Sequence, residues 1–180
     1  MRLFIAVQLP QNMLDALAET QALLRDTVRG RFVGSNLFHV TVAFLGEVDC
    51  MRIPEVTAAL EEGCRGHEAF ETRLTHLGSF GKPRYCTVWQ GFDSTLKATG
   101  AWSDLAKDVR KAVKAAGFSF DDKSFVPHVT LMRNANIEKL GELPMPVSAQ
   151  GIISQVTLFK SDLSGPFPVY EEIDSVELIS

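Results

Sequence analysis

The chain has 180 residues, 46% hydrophobic and 22% charged, a balance that excludes a disordered or fibrous chain and leaves room for one substantial core. A formal net charge of −4 excludes a protein that coats nucleic acid by neutralising phosphates, so a nucleic-acid role should concern an end or a small fragment. Cys50, Cys64 and Cys86 form neither a CxxC pair nor an even set, which argues against a disulfide framework or structural zinc and for a reducing compartment.

Leu3 to Gln8 is a compact apolar run of strand formers closed by Pro10, and reads as a buried strand at the centre of a sheet. It is too short for a signal-peptide core or a membrane span, so the expected location is the cytoplasm. From Gln11 to Val28, Leu14, Leu17, Ala18, Leu24 and Val28 recur at helical spacing, and Gly30 ends the run. Gly34-Ser35-Asn36 is turn chemistry and delivers the chain into a strand over Leu37 to Leu45.

A second helix is expected from Pro54 to Glu62. Strands follow over Glu71 to Leu77 and Tyr85 to Phe92, joined by Gly78 to Arg84, a loop of the kind that reaches over a site. Lys97 to Ala116 sets Leu105, Val109, Ala112 and Val113 on one helical face, with Gly117 as the stop. Pro127 then biases Val126 to an extended conformation ahead of another strand. Asn136 to Leu140 reads as a short helix, and Gly151 to Lys160 with Tyr170 to Ile179 as a closing strand pair. Interleaved helices and hairpin-like strand pairs give an α+β class with largely antiparallel sheets.

Two stretches repeat each other: Phe38-His39-Val40-Thr41-Val42 and Pro127-His128-Val129-Thr130-Leu131. Strand side chains alternate, so His39 and Thr41 share one face and His128 and Thr130 another, with the valines and leucine opposite. Residues two apart on a strand are roughly 6.5–7 Å apart along it, which lets an imidazole and a hydroxyl touch different oxygens of one phosphate. The copies are 89 positions apart, about half the chain. That spacing implies an internal duplication of strand, helix and His strand, with both motifs facing a cleft between two lobes of one domain spanning residues 1–180.

The motifs HVTV and HVTL resemble those of the 2H phosphoesterase superfamily. The flanking text FIAVQLP, HVTVAFLGEV, PHVTLMR and LFKSDLSGPFPVYEEI resembles its RNA 2′,3′-cyclic phosphodiesterase branch, historically the 2′-5′ RNA ligase family, from Arg2 to about Ser175. Val42, where leucine is more usual, and Asn134 after Arg133 depart from that pattern without touching the four polar groups. The resemblance implies a two-lobed, internally duplicated fold with two sheets lining a central cleft and helices outside. It also implies that His39 is the proton donor to the leaving 3′ oxygen and His128 the proton acceptor from water, leaving a 2′-phosphate.

From the residues alone, two imidazoles of ordinary pKa near 6.5 can serve as general acid and base at neutrality, in either order and with no metal or cofactor. Thr41 and Thr130 would donate to the non-bridging oxygens, and Arg133 would add a fixed positive charge, although two positions past Leu131 it shares the buried phase and needs a bend to turn inward. Phe125 is the best candidate for a base-stacking ring, ahead of Phe38, Trp89 and Trp102, and Arg84, with Lys82 and Tyr85, is a candidate substrate contact. His67 and His76 read as surface residues. The expected partners are RNA termini or short oligonucleotides ending in a 2′,3′-cyclic phosphate, with no membrane and a monomeric chain. Alternatives keep the chemistry on 2′-5′ oligonucleotides or a small cyclic nucleotide, or replace it with a module that binds RNA ends without turnover. A metal centre is disfavoured because no Asp, Glu or Cys lies near either His motif.

Overall fold

Strand β1 (Arg2–Val7) is hydrogen-bonded on both sides and covered on both faces, which is why an uninterrupted apolar run occupies it: Leu3 to Val7 are all buried. The computed structural model describes residues 1–139 and 142–180. After β1 come α1 (Gln11–Thr27), β2 (Arg29–Phe32), β3 (Val40–Glu47), α2 (Ile53–Cys64), β4 (Phe70–Lys82) and β5 (Tyr85–Phe92). Helix α3 (Leu96–Ala115) and strands β6 (His128–Asn136), β7 (Ala149–Ile153), β8 (Gln155–Asp162) and β9 (Val169–Glu177) complete the fold.

The strands form two antiparallel sheets, ordered β3-β1-β8-β9 and β2-β6-β5-β4-β7. The expected duplication is visible in them: β1-α1-β3 and β5-α3-β6 each place a His-motif strand beside the strand that opens its half. Helices α2 and α3 lie on the first sheet and α1 on the second. Buried Trp102 of α3 joins the two, because its ring packs on Phe70 and Phe92 of the second sheet, centroids 5.1 and 4.9 Å away, while its Nε1 donates to Thr72. Trp102→Ala would cost about 3–5 kcal/mol by the cavity it leaves.

Five local expectations are corrected. Strand β2 is an addition to the expected elements: Arg-Gly-Arg-Phe is a short polar edge strand with no alternating apolar pattern to reveal it. His39 precedes β3 rather than lying within it, because Ser35–Leu37 forms a tight 3-10 turn. Residues 78–84 are mostly ladder, since β4 and β5 pair out to Lys82 and Tyr85 across Pro83-Arg84. Gly78 serves packing there: the Trp89 ring lies where a Cβ would stand. Residues 151–160 are two strands in different sheets, divided at Ser154. Asn136 closes β6 instead of opening a helix, and Leu140 lies outside the described residues.

Candidate active site

Both motifs break register at the same place. On β3, Ala6 pairs with Thr41 and Ile5 with Ala43, leaving Val42 as an extra residue; on β6, Trp89 pairs with Thr130 and Val88 with Met132, leaving Leu131 extra. Each bulge puts two consecutive side chains into the core, Val42 with Ala43 and Leu131 with Met132. The shift resolves the phase of Arg133. With one residue inserted, it returns to the side of Thr130 and lines the same cavity. Asn134 follows with φ of 54°, a left-handed conformation that asparagine tolerates, at a second irregularity against β2.

That cavity, of about 240 Å³, is lined by His39, Thr41, His128, Thr130 and Arg133 together. The two rings are held alike. His39 Nδ1 is 2.7 Å from the carbonyl oxygen of Leu37, and His128 Nδ1 is 2.6 Å from that of Val126. A carbonyl only accepts, so Nδ1 carries a proton in both rings and the neutral form leaves the Nε2 lone pair as the working site. Here the copies differ. Nε2 of His39 lies 3.0 Å from Thr41 Oγ1, which donates to it, while Nε2 of His128 makes no hydrogen bond among the described residues.

Burial pushes the His39 imidazole down from 6.5 to about 4, opposed by its bond to Leu37 and aided by the charges of Arg133 and His128. Its walls are aromatic: Phe4 and Tyr170 stand 5.1 and 5.4 Å away, centroid to centroid. His128 is also lowered, first by burial and then by Arg133, against its bond to Val126. Phe80 at 5.0 Å and Trp89 at 5.7 Å flank it.

Each bulge is held by the helix of the other half. Gln21 of α1, 5% exposed, donates from Nε2 to the carbonyls of Val33 at 2.7 Å and Leu131 at 3.0 Å. Arg110 of α3 donates from Nε to Val42 at 2.8 Å and from Nη1 to Lys123 at 2.8 Å. Val42 and Leu131 are the extra residues, so each helix captures the carbonyl at the bulge beside the opposite motif's threonine.

Phe125 and Arg84 lie apart from the cavity-lining set. Phe125 faces α3, against Trp102 and the Arg110 guanidinium, and Arg84 sits at the β4–β5 turn, ion-paired with Glu138. His67 pairs with Asp108 at 3.1 Å, and His76 packs edge-on against Trp89. The cavity also takes in residues that sequence reasoning missed: Arg31, Phe32 and Asn36 on one side, and Phe167 and Tyr170 from the β8–β9 hairpin on the other. The Gly165-Pro166-Phe167-Pro168 turn marked a hairpin tip in the sequence, but nothing there said the tip would reach His39. Among the described residues, no three His, Cys, Asp or Glu side chains converge as a metal-binding set. Among them, too, no helix is long and apolar enough to cross a membrane.

The family model of the 2′-5′ RNA ligase superfamily matches residues 34–145, which include both motifs. The chain belongs to the 2′-5′ RNA ligase superfamily. A superfamily member from Thermus thermophilus, named RNA 2′,3′-cyclic phosphodiesterase, is 30% identical over 99% of this chain and 90% of its own length. Another of that name, from Methanothermobacter thermautotrophicus, is 27% identical over 98% of both. The crystal structure of the Thermus thermophilus protein TT0787 superposes with a TM-score of 0.80 at 29% identity, covering 99% of this chain and 98% of that one. Escherichia coli LigT, complexed with 3′-AMP, shares the fold with a TM-score of 0.81 at 23% identity over 99% and 98%. The expected two-sheet α+β fold is therefore the superfamily's, and the expected enzyme class, a phosphoric diester hydrolase, is that of the named relatives.

Proposed function

We propose that the chain hydrolyses 2′,3′-cyclic phosphate at RNA ends to a 2′-phosphate, with His39 and His128 as the proton-transferring pair. The observation that carries this reading is the convergence of both His-Thr pairs and Arg133 on one cavity, each imidazole fixed through Nδ1 so that Nε2 is the reactive atom. The names of the relatives supply the substrate class.

In this mechanism water attacks phosphorus opposite the 3′ oxygen. His128 Nε2, without a hydrogen-bond partner among the described residues, takes the water's proton as the new P–O bond forms. The protonated His39 gives its Nε2 proton to the 3′ oxygen as the P–O3′ bond breaks. Thr41 and Thr130 hydroxyls and the Arg133 guanidinium bind the non-bridging oxygens as their charge grows. Tyr170 and Phe4 keep the acid ring in place and out of water. No step calls on a metal. By microscopic reversibility, the same groups with exchanged roles would join a cyclic phosphate to a 5′-hydroxyl.

The test is product analysis with excess EDTA on an RNA oligonucleotide ending in 2′,3′-cyclic phosphate. A 2′-phosphate end at undiminished rate is expected. A 3′-phosphate product, or loss of turnover on chelation that a divalent cation restores, would overturn the mechanism.

A further inference from the structure

A second groove, of about 500 Å³, runs between α3 and the segment that leads into His128. Its wall is one face of α3: Lys107, Lys111 and Lys114, at spacings of four and three, all exposed and without an ion-pair partner among the described residues. Opposite stand Phe120 and Phe125, both half-buried, with the Arg110 guanidinium over each ring at 5.6 and 5.4 Å. Among the described residues, Asp122 is the one carboxylate lining the groove, and neighbouring Asp121 is taken by Lys123 at 2.9 Å. In a chain of net charge −4, three unneutralised cations on one wall mark a local reversal of sign.

The groove shares no lining residue with the catalytic cavity but is tied to it at two points. Phe125 precedes His128 by three residues, at most about 10 Å of extended chain. Arg110, at the back of the groove, holds the Val42 carbonyl next to Thr41. A strip of positive charge beside apolar rings is the chemistry that follows a single-stranded phosphate backbone. Nothing in the hydrolysis of the terminal cyclic phosphate uses it.

We propose that this groove is an exosite for the single-stranded body of an RNA whose 3′ end occupies the catalytic cavity. Phosphates upstream of the terminal nucleotide lie along Lys107, Lys111 and Lys114, and riboses or bases rest against Phe120 and Phe125. The proposal rests on the reading of the cavity as acting on RNA ends, and it makes the preferred substrate an RNA chain rather than a cyclic mononucleotide.

The experiment compares wild type with Lys107→Gln/Lys111→Gln/Lys114→Gln and with a charge-matched control, Arg65→Gln/Arg73→Gln/Lys97→Gln, whose residues line a different groove. Each is assayed on a single-stranded oligonucleotide ending in 2′,3′-cyclic phosphate and on a 2′,3′-cyclic mononucleotide. For the lysine variant, kcat/KM on the oligonucleotide should fall about tenfold or more, with the mononucleotide and the control unchanged. Its slope of log kcat/KM against log salt should flatten by about 2, at roughly 0.7 per lost phosphate contact. Equal rates on the oligonucleotide, an equal fall on both substrates, or an equal fall in the control would each overturn the exosite. If wild type turns over neither substrate, the reading of the cavity fails. The groove is then judged by fluorescence anisotropy of the oligonucleotide carrying a plain 3′-hydroxyl: weaker binding only in the lysine variant upholds it, and unchanged binding overturns it.

Discussion

His39 is the residue on which the proposed chemistry turns, and in the free protein it is in the wrong state for its role. An acid must hold a proton, yet burial drives this ring down to about 4. The phosphate resolves the conflict, because an anion beside the ring favours the charged form and offsets Arg133, which disfavours it. Titrated by NMR, His39 should lose its proton near 4 in the free protein and at a higher pH with saturating inorganic phosphate. A free-state value near 6.5, or no rise with phosphate, would contradict this account. The same shift sets a pH dependence of stability. Between pH 6.5 and about 4 the unfolded chain binds a proton that the folded chain refuses, so stability falls as pH drops through that window, and phosphate should oppose the loss.

At the scale of elements, the bulges align the motifs and the helices fix the bulges. An inserted residue disrupts the ladder, and the carbonyl there gains a side-chain donor, in the case of Leu131 beside the N–H of Val33. Gln21 and Arg110 supply one each, from the opposite half. Gln21→Met keeps the side chain's length and removes its amide, leaving the Val33 carbonyl without its donor and the Leu131 carbonyl with the Val33 N–H alone. It should cost about 1–3 kcal/mol in urea unfolding and also lower kcat, because the strand that carries Thr130 and Arg133 loses its anchor. A stability loss with unchanged kcat would show that the clamp holds the fold and not the site.

The bulges also mark where the sequence was legible and where it was not. The period-two reading of His-Val-Thr-Val set His39, Thr41, His128 and Thr130 on polar faces, and all four line one cavity, but carried through Leu131 it set Arg133 on the buried face. The corrective signal was already present: Val42-Ala43 and Leu131-Met132 are adjacent apolar pairs at the point where alternation should place a polar side chain. The long helices were legible because amphipathic periodicity over three or more turns survives local noise. Strand β2 was not, because a four-residue polar edge carries no period, and the break at Ser154 was not, because Ser154-Gln155 interrupts the strand formers with no glycine or proline to mark a turn.

At the scale of the whole molecule, duplication explains why two similar strands face one cavity, and each half lends a helix to the other's motif. Helix α1 serves the strand of His128 and α3 the strand of His39, so a shift in one half reaches the other half's motif through a single side chain. Symmetry ends at the rings themselves. His39 is the deeper and its Nε2 is already bonded to Thr41, whereas His128 leaves Nε2 open, as the proposed base requires.

The central claim is that the two histidines act as one unit, and single-turnover kinetics of His39→Ala, His128→Ala and the double variant test it most directly, on an RNA ending in 2′,3′-cyclic phosphate with folding checked by circular dichroism. Each single variant should lose about 10²–10⁴-fold, and the double variant should lose little more than the worse single, because an acid without its base is already idle. A folded single variant that keeps the wild-type rate would contradict the account.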